Sequence, residues 1–272
     1  MKRRKQFISQ IAVTVIFLIF MFPYLWMIIS AFKTRMQVFA YPPVWLFKPT
    51  LENFRVVLQE HNLLFYLKNS FIVSVGNTLL SLALALPASY SLARGKFKFK
   101  ESLGYFFLIV QMVPAISIVF VYFYLAKTMN LYDTKIMLII IYLLWHVPWA
   151  VWMTRGFIEG VPPSLEEAAL IDGCSRFGVL IRIILPLIAP GLAAAAVFVF
   201  IMSWNEFTVA FLLTSMNAKT IPTIVSQYVT HLGVLWGPMF ATATIATLPA
   251  VIFSFIFRKY MITALTMGAV KG

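Results

Sequence analysis

Charged residues are scarce in this chain of 272 residues. Asp, Glu, Lys and Arg together make up 11% of it, against 61% hydrophobic residues. A soluble domain usually has about 25% charged and about 45–50% apolar residues. So few polar groups could not cover the apolar surface in water. The composition therefore excludes an ordinary soluble domain and predicts a protein whose solvent is lipid.

Cysteine is nearly absent, since Cys174 is the only one. One cysteine excludes an internal disulfide framework and gives no metal-ligand spacing. The sequence also lacks the phosphate-binding pattern G-x-x-x-x-G-K-[ST] and any nucleophile–base constellation. We therefore expect no ATPase site, no cofactor, no metal and no catalysis within this chain.

Acidic residues are the scarcer charge, with nine Asp and Glu against 22 Lys and Arg, which gives a net charge of +13. The basic residues lie in short segments between apolar runs. This pattern fits anionic lipid headgroups and the control of membrane topology. It argues against nucleic-acid binding, which requires basic residues clustered on one folded face.

Long apolar runs are abundant, and a membrane helix needs about 20 mostly apolar residues. No run shows the sustained alternation of a barrel strand. We predict an all-α integral membrane protein with a single transmembrane domain over residues 1–272. The six predicted spans are residues 7–32, 69–93, 103–126, 136–157, 187–213 and 239–257.

The first span follows the basic residues MKRRK, as a signal peptide would. It is too long for a signal core and lacks a small-residue cleavage site, so we expect a retained helix. Each of the six spans contains one proline. This favours bent or broken helices around a pathway, although membrane helices also tolerate proline without such a role.

Fourteen of the 22 basic residues lie in the connections on one side of the predicted spans. The side with more Lys and Arg is normally cytoplasmic. We therefore predict that both termini and the connection 158–186 are cytoplasmic. The connections 33–68 and 214–238 are then external.

The connection between spans four and five predicts a helix-turn-helix. Ser164 can cap a first helix, and Glu167 three residues later can complete a capping box. Gly173 is a natural left-handed stop for that helix. Ser175 can then cap a second helix that runs to Pro186.

The same connection carries a fixed spacing: Glu-Ala-Ala, three residues, Gly, nine residues, Ile, one residue, Leu-Pro. Its positions are Glu167, Ala168, Ala169, Gly173, Ile183, Leu185 and Pro186. This spacing resembles the EAA signature of the permeases of bacterial ABC importers. The chain is most similar to the carbohydrate-uptake branch, and within it to the shorter, second permease of maltose-type transporters. The likeness extends to residues 203–207 and to the ending Gly268–Gly272.

The resemblance implies that the first short helix is a coupling helix, which docks in a cleft of a cytoplasmic ATPase subunit. Two alanines would leave a smooth helix face, and a carboxylate could meet an arginine of the partner. Alternatively, these residues only cap and favour the helix. The docking residues that we predict are Ser164, Glu166, Glu167, Ala168, Ala169, Asp172, Gly173, Leu185 and Pro186.

A substrate path is the second site implied by the resemblance. Glu206 is the only acidic residue inside a predicted span, and such a residue is a functional candidate by default. The alternative is a hydrated carboxylate, or one paired with Lys219. His146 is expected to form an interhelical hydrogen bond rather than a proton relay. The path residues that we predict are Gln111, Pro114, Trp204, Asn205 and Glu206.

The external connection 214–238 resembles the loop that enters the sugar cleft of the binding protein in maltose-type systems. The contact residues that this implies are Gln227, Tyr228, Trp236 and Gly237. Alternatively, this loop only caps the helices. The chain's ending, Lys271-Gly272, is similar to tails that reach the ATPase interface.

The function implied is that of a permease subunit of a binding-protein-dependent ABC importer. It would move an oligosaccharide or disaccharide across the bacterial or archaeal cytoplasmic membrane by alternating access. Its partners would be a second, homologous permease, two ATPase subunits that bind ATP and Mg²⁺, and an extracytoplasmic sugar-binding protein. One alternative is a permease for another solute such as glycerol phosphate. An ion-coupled transporter would predict inverted repeats and several intramembrane acids.

Overall fold

The computed structural model describes residues 2–231 and 233–267, which are mostly helical. The helices are α1 (Lys2–Ala31), α2 (Arg35–Val38), α3 (Glu52–Arg55), α4 (Leu63–Arg94), α5 (Lys100–Gln111), α6 (Ala115–Thr128), α7 (Lys135–Glu159), α8 (Pro163–Ile171), α9 (Arg176–Val179), α10 (Leu185–Trp204), α11 (Thr208–Leu213), α12 (Ile221–Val225) and α13 (Trp236–Met267). π-helical turns follow α3 at Val56–Glu60 and α9 at Leu180–Ile184. A 3₁₀ turn, Ser226–Tyr228, leads into a two-stranded antiparallel hairpin of β1 (Val229–Thr230) and β2 (Gly233–Val234).

The described residues fall into two compact units. The first unit consists of the residues up to 65 together with 224–249, and the second of residues 66–223 and 250–267. In the first unit, the Asn53 amide donates hydrogen bonds to the carbonyls of Ala31 and Lys33, both at 2.8 Å. The Lys33 side chain is buried against the ring of Trp26, and burial lowers its pKa.

The predicted all-α class is confirmed. Among the described residues, five helical segments are long and apolar enough to cross a membrane, namely Ser9–Ala31, Leu63–Arg94, Lys135–Glu159, Arg176–Trp204 and Trp236–Tyr260. A sixth is reached only if α5 and α6 count as one broken span.

The predicted span 103–126 is a broken one, as its proline favoured. The chain bends by 91° between α5 and α6. Pro114 has no backbone N–H to continue a helix, and it disfavours helical geometry at the preceding residue. It adopts an extended conformation with ψ 131° and becomes the N-cap of α6.

The helix at the predicted fifth span, 187–213, has different bounds from that span. The segment begins at Arg176 through α9 and the π-helical turn, and α10 ends at Trp204. Residues 205–207 are not helical, and α11 then starts as a separate short helix.

Three apolar clusters hold the second unit together. One packs residues of α6, α7 and α11 around Tyr142, and another joins α4, α7 and α10 around Val151. The third lies where α4 and α7 end, and it packs α8, α9 and the second π-helical turn against both. Buried polar groups also join the helices, since His146 Nδ1 lies 2.5 Å from Asn77 Oδ1, as the hydrogen-bonding prediction for His146 expects.

Candidate functional site

The first candidate site is α8 with the turn that follows it. The structure has α8 start at Pro163, whose fixed φ suits the first position of a helix. The N-cap is therefore Pro162, and the helix has no side-chain cap. Our capping box of Ser164 and Glu167 is wrong, because Ser164 lies within the first turn and not before it.

The end of α8 and the start of α9 follow the prediction. Gly173 has φ +86°, the left-handed geometry that ends a helix at low cost for glycine. The hydroxyl of Ser175 accepts a hydrogen bond from the Gly178 N–H at 3.1 Å and so caps α9. The helix-turn-helix is thus present.

The second helix does not end at Pro186 as predicted. It passes through the π-helical turn Leu180–Ile184 straight into α10. The Leu185 N–H donates to the Leu180 carbonyl, a register one residue longer than that of an α-helix. Pro186 lies in the first turn of α10, where a missing N–H costs little. Pro186 is exposed, whereas Leu185 is half-buried.

The predicted docking residues divide into exposed and buried ones. Glu166 and Ala169 are buried, at 6% and 7% exposure. The exposed predicted residues are Ser164, Glu167, Ala168, Asp172 and Gly173.

Sequence reasoning missed two apolar side chains on the same helix-turn-helix. Ile171 is 87% exposed and Phe177 is 72% exposed. The sequence could not separate these two from the buried apolar residues of the same connection, such as Val179 and Leu180. We call Glu167, Ala168, Ile171, Asp172 and Phe177 the docking surface.

Glu166 is held inside the chain. Its Oε1 accepts a hydrogen bond from Arg94 Nε at 2.5 Å, and its Oε2 accepts one from the Tyr90 hydroxyl at 2.9 Å. This carboxylate thus has two partners within the chain, and its docking of a further partner stays a prediction. Arg94 and Tyr90 were not predicted. The only sequence feature that could have indicated a role for Arg94 is its position directly after a predicted span.

The second candidate site contains Glu206, which lies at the break after α10 and not inside a helix as predicted. Its carboxylate accepts hydrogen bonds from the Tyr142 hydroxyl at 2.8 Å and from the backbone N–H groups of Val209 and Ala210 at 3.0 and 3.1 Å. A carboxylate at a helix N-terminus is favoured by the helix dipole. Glu206 therefore fixes α11 against α7, and these hydrogen-bond partners differ from Lys219, which was the alternative partner.

The other predicted path residues lie at this break and at the bend between α5 and α6. Trp204 is buried and stacks on Phe200 with ring centroids 5.6 Å apart. Asn205 is exposed and donates to the Ile201 carbonyl at 2.9 Å.

At the α5–α6 bend, the Gln111 amide donates to the Trp145 carbonyl at 2.6 Å, and Pro114 is exposed. α11 packs against α6 and α7. Both helix breaks therefore belong to the same packed group of helices.

Asp133, in the turn between α6 and α7, was not predicted and holds the segment after α11. Its carboxylate accepts hydrogen bonds from the backbone N–H groups of Ser215, Met216, Asn217 and Ala218, at 2.9–3.1 Å. Burial alone would raise the pKa of this carboxyl group. The four N–H donors outweigh burial and lower the pKa from 3.8 to about 2.

The predicted contact loop also divides into buried and exposed residues. Tyr228 is 1% exposed, and its hydroxyl lies 2.8 Å from that of Thr242. Gly237 is buried, and a side chain there would collide with the Asn53 amide. Both residues are therefore buried within this chain, and their contact with a partner stays a prediction. Gln227 and Trp236 are exposed on either side of the hairpin.

Metal-ligand side chains and the ending of the chain were the remaining subjects of the predictions. In residues 2–231 and 233–267, no group of three His, Cys, Asp or Glu side chains is arranged to hold a metal ion. The predicted tail residues Gly268–Gly272 lie outside the described residues.

Comparisons with known proteins match most or nearly all of the chain. A family model described as binding-protein-dependent transport system inner membrane component matches residues 82–266. The trehalose/maltose transport system permease protein MalG of Thermococcus litoralis is 37% identical over 259 residues, covering 94% of this chain and 93% of that protein. The diacetylchitobiose uptake system permease protein DasC of Streptomyces coelicolor is 31% identical over 264 residues, covering 96% of each. Among solved structures, a bacterial ABC transporter that imports the acidic polysaccharide alginate has the same fold, with a TM-score of 0.76 at 18% identity, covering 95% of this chain and 96% of that one.

Proposed function

The chain belongs to the family of binding-protein-dependent transport system inner membrane components, and on this basis we propose that it is one permease subunit of an ATP-driven sugar importer. In this proposal it forms half of a pore together with a second, homologous permease. A separate pair of ATPase subunits binds ATP and Mg²⁺, and this chain itself catalyses no reaction. An extracytoplasmic binding protein delivers the solute.

The observation that carries the proposal is the docking surface inside a segment matched by the family model. Ile171 and Phe177 are largely exposed, whereas Ala169 of the same helix-turn-helix is packed in an apolar cluster. Exposed apolar residues next to the charges of Glu167 and Asp172 are typical of a protein–protein contact. We propose that an ATPase subunit covers this surface.

The assignment to a sugar rests on the named relatives and on the chemistry of the exposed polar groups. The names of the two relatives mention trehalose, maltose and diacetylchitobiose, so the proposed solute is an oligosaccharide or disaccharide. Asn205 and Gln227 are exposed amides, which can hydrogen-bond sugar hydroxyls, and Trp236 offers an aromatic face. Gln227 and Trp236 would contact the loaded binding protein.

The proposed orientation follows the charge distribution. Placing α8 and both chain ends on the cytoplasmic side puts the larger share of Lys and Arg inside. The hairpin loop between α12 and α13 then faces the binding protein.

The test is uptake of the sugar that the binding protein selects. The purified binding protein is first screened against mono- and oligosaccharides and glycerol phosphate. Uptake of the selected, labelled solute is then measured in cells with and without this chain. We expect a disaccharide or oligosaccharide to be selected, and its uptake to disappear without this chain. Selection of glycerol phosphate would replace the sugar assignment, and unchanged uptake would refute the proposed function.

A further inference from the structure

Arg94, the last residue of α4, joins three helices with one side chain. Its Nη2 donates hydrogen bonds to the carbonyls of Ile158, at 2.8 Å, and of Val161. Carbonyl groups at the end of a helix lack partners within that helix and carry a partial negative charge. The Ile158 carbonyl belongs to the last turn of α7, so Arg94 binds the end of α7 as well as α8.

Glu166 provides the contact to α8. It lies in the first turn of that helix, where a carboxylate is favoured by the dipole. The Arg94 and Glu166 side chains are 19% and 9% exposed, and Tyr90, one turn earlier on α4, donates to the second carboxylate oxygen. We call Tyr90, Arg94 and Glu166 the Arg94 cluster.

A pair of charges removed from water resists separation. Taking away one partner leaves the other as an uncompensated buried charge, which is strongly unfavourable. α8 also rests on the apolar cluster through Ala169, next to Ile158 and Val161. The polar and apolar contacts therefore bind α8 to the same two helices, α4 and α7.

A second arginine at the same end of the unit pairs with more exposed carboxylates. Arg155 of α7 pairs with Glu101 of α5 at 3.0 Å and with Glu159 at 2.6 Å. The Arg155 side chain is 13% exposed, but those of Glu101 and Glu159 are 61% and 46% exposed, so water competes for both carboxylates. Removing either carboxylate therefore leaves a smaller desolvated charge imbalance than removing Glu166, which is 9% exposed.

We infer that Arg94 is a positioning residue that makes α8 move together with α4 and α7 when the docking surface is displaced. This inference rests on the proposed function, because it assumes that an ATPase subunit moves α8. Without the Arg94 cluster, the displacement would be absorbed by the turns at either end of α8. The spans would then stay in place while ATP is still hydrolysed.

The experiment measures ATP hydrolysis and solute uptake together, in liposomes that contain the whole transporter and its binding protein. The variants are Glu166→Gln, Arg94→Gln and the double variant. We expect each to retain its ATPase subunits on purification and to hydrolyse ATP. The amount of solute moved per ATP should fall about tenfold, within the range usual for coupling between sites. The double variant should be no worse than Arg94→Gln alone, since both changes break one unit.

Tyr90→Phe is a milder variant, included in case Glu166→Gln and Arg94→Gln fail to fold. It removes one hydrogen bond without leaving a charge unpaired. It should lower the ratio of uptake to hydrolysis by less than Glu166→Gln does. Glu101→Gln is the matched control, a neutralised acid in the exposed pair, and should leave the ratio unchanged.

Three results decide between the alternatives. A normal ratio in both Glu166→Gln and Arg94→Gln would overturn the inference. So would a loss of ATPase subunits on purification, because Glu166 would then act on docking. If the wild-type transporter takes up no solute with ATP, the proposed function itself fails, and the inference fails with it.

Discussion

At the scale of single residues, two neighbouring glutamates on α8 have opposite surroundings. Glu166 is buried and bound by Arg94 and Tyr90, whereas Glu167 is exposed. Nothing in the local sequence separates the two, because both follow the same proline pair and both lie near the helix start. The difference arises from the end of α4, which lies 72 positions away from Glu166 in the chain.

Reversing the charge at Glu167 should weaken binding of the ATPase subunit. Close charge pairs across interfaces contribute about 1.5–7 kcal/mol, so we expect at least about tenfold weaker binding for Glu167→Arg. The measurement is the amount of ATPase subunit that co-purifies with the tagged permease. Glu52→Arg makes the same charge change on the exposed helix α3 and should leave the amount unchanged. Equal recovery with Glu167→Arg would remove Glu167 from the docking surface.

Neutralising Asp133 should destabilise the second unit. The lowered pKa means that the ionised form of Asp133 stabilises the fold by about 2 kcal/mol at neutral pH, and Asp133→Asn should lose about that amount. The stability is complete above about pH 4 and disappears as the pH falls towards about 2, where the folded-state carboxyl group becomes protonated.

The Asp133 measurement is thermal unfolding of the purified chain in detergent at several pH values. The wild type should unfold at a higher temperature than Asp133→Asn at pH 7, and the two should converge as the pH falls below about 4. Glu52→Gln, in an exposed ion pair, serves as the control. A gap between wild type and Asp133→Asn that persists at pH 2 would contradict this role.

At the scale of helices, the breaks position the candidate path. Prolines lie within α1, α4, α7, α10 and α13 without interrupting them, yet Pro114 separates α5 from α6. Near the break at Pro114, the Gln111 side chain donates a hydrogen bond to the carbonyl of Trp145, which lies 34 positions further along the chain.

Helix existence could be predicted from the sequence, because long apolar runs in lipid have few other solutions. The left-handed Gly173 and the Ser175 cap could also be predicted, since both depend on local backbone geometry. Which proline breaks its helix, the burial of Glu166 and the role of Asp133 could not be predicted. Each depends on side chains that meet only after the helices have packed.

The crossing of α7 and α10 should depend on a glycine. Gly191 is buried, and any side chain there would collide with the ring of Phe157. Overpacking of this kind usually costs about 1–3 kcal/mol, so Gly191→Leu should lower the unfolding temperature of the chain. The unfolding temperature is measured by monitoring tryptophan fluorescence during heating.

Ala189→Leu is the matched control for this crossing, because Ala189 is exposed on the same helix. It should change the unfolding temperature little. Equal unfolding temperatures for Gly191→Leu and wild type would show that the helices do not need this close approach.

At the scale of the whole molecule, the proposed orientation of the chain rests on the distribution of Lys and Arg. Because the cytoplasmic side normally carries the excess of Lys and Arg, the docking surface and the hairpin loop are expected on opposite sides of the membrane. The single native cysteine makes this easy to measure, since Cys174→Ser gives a cysteine-free chain.

New cysteines should report the two sides. In the Cys174→Ser background, we expect Gln227→Cys to react with a membrane-impermeant maleimide in intact cells. Lys98→Cys, in the connection between α4 and α5 that is predicted to be cytoplasmic, should react only after the membrane is permeabilised. Both positions are exposed and Lys98 lies outside the docking surface, so the comparison depends on sidedness. Labelling of Lys98→Cys in intact cells would reverse the proposed orientation.

The energy source of transport tests the central claim most directly, namely that this chain is a permease driven by a separate ATPase. Uptake is measured in liposomes that contain the assembled transporter, the loaded external binding protein and internal ATP. The comparison is with the same complex after the phosphate-binding lysine of its ATPase subunit has been replaced by alanine. The account predicts uptake that requires ATP and disappears with the lysine, whether or not an ion gradient is present. Uptake that continues in the lysine variant when an ion gradient is applied would contradict it.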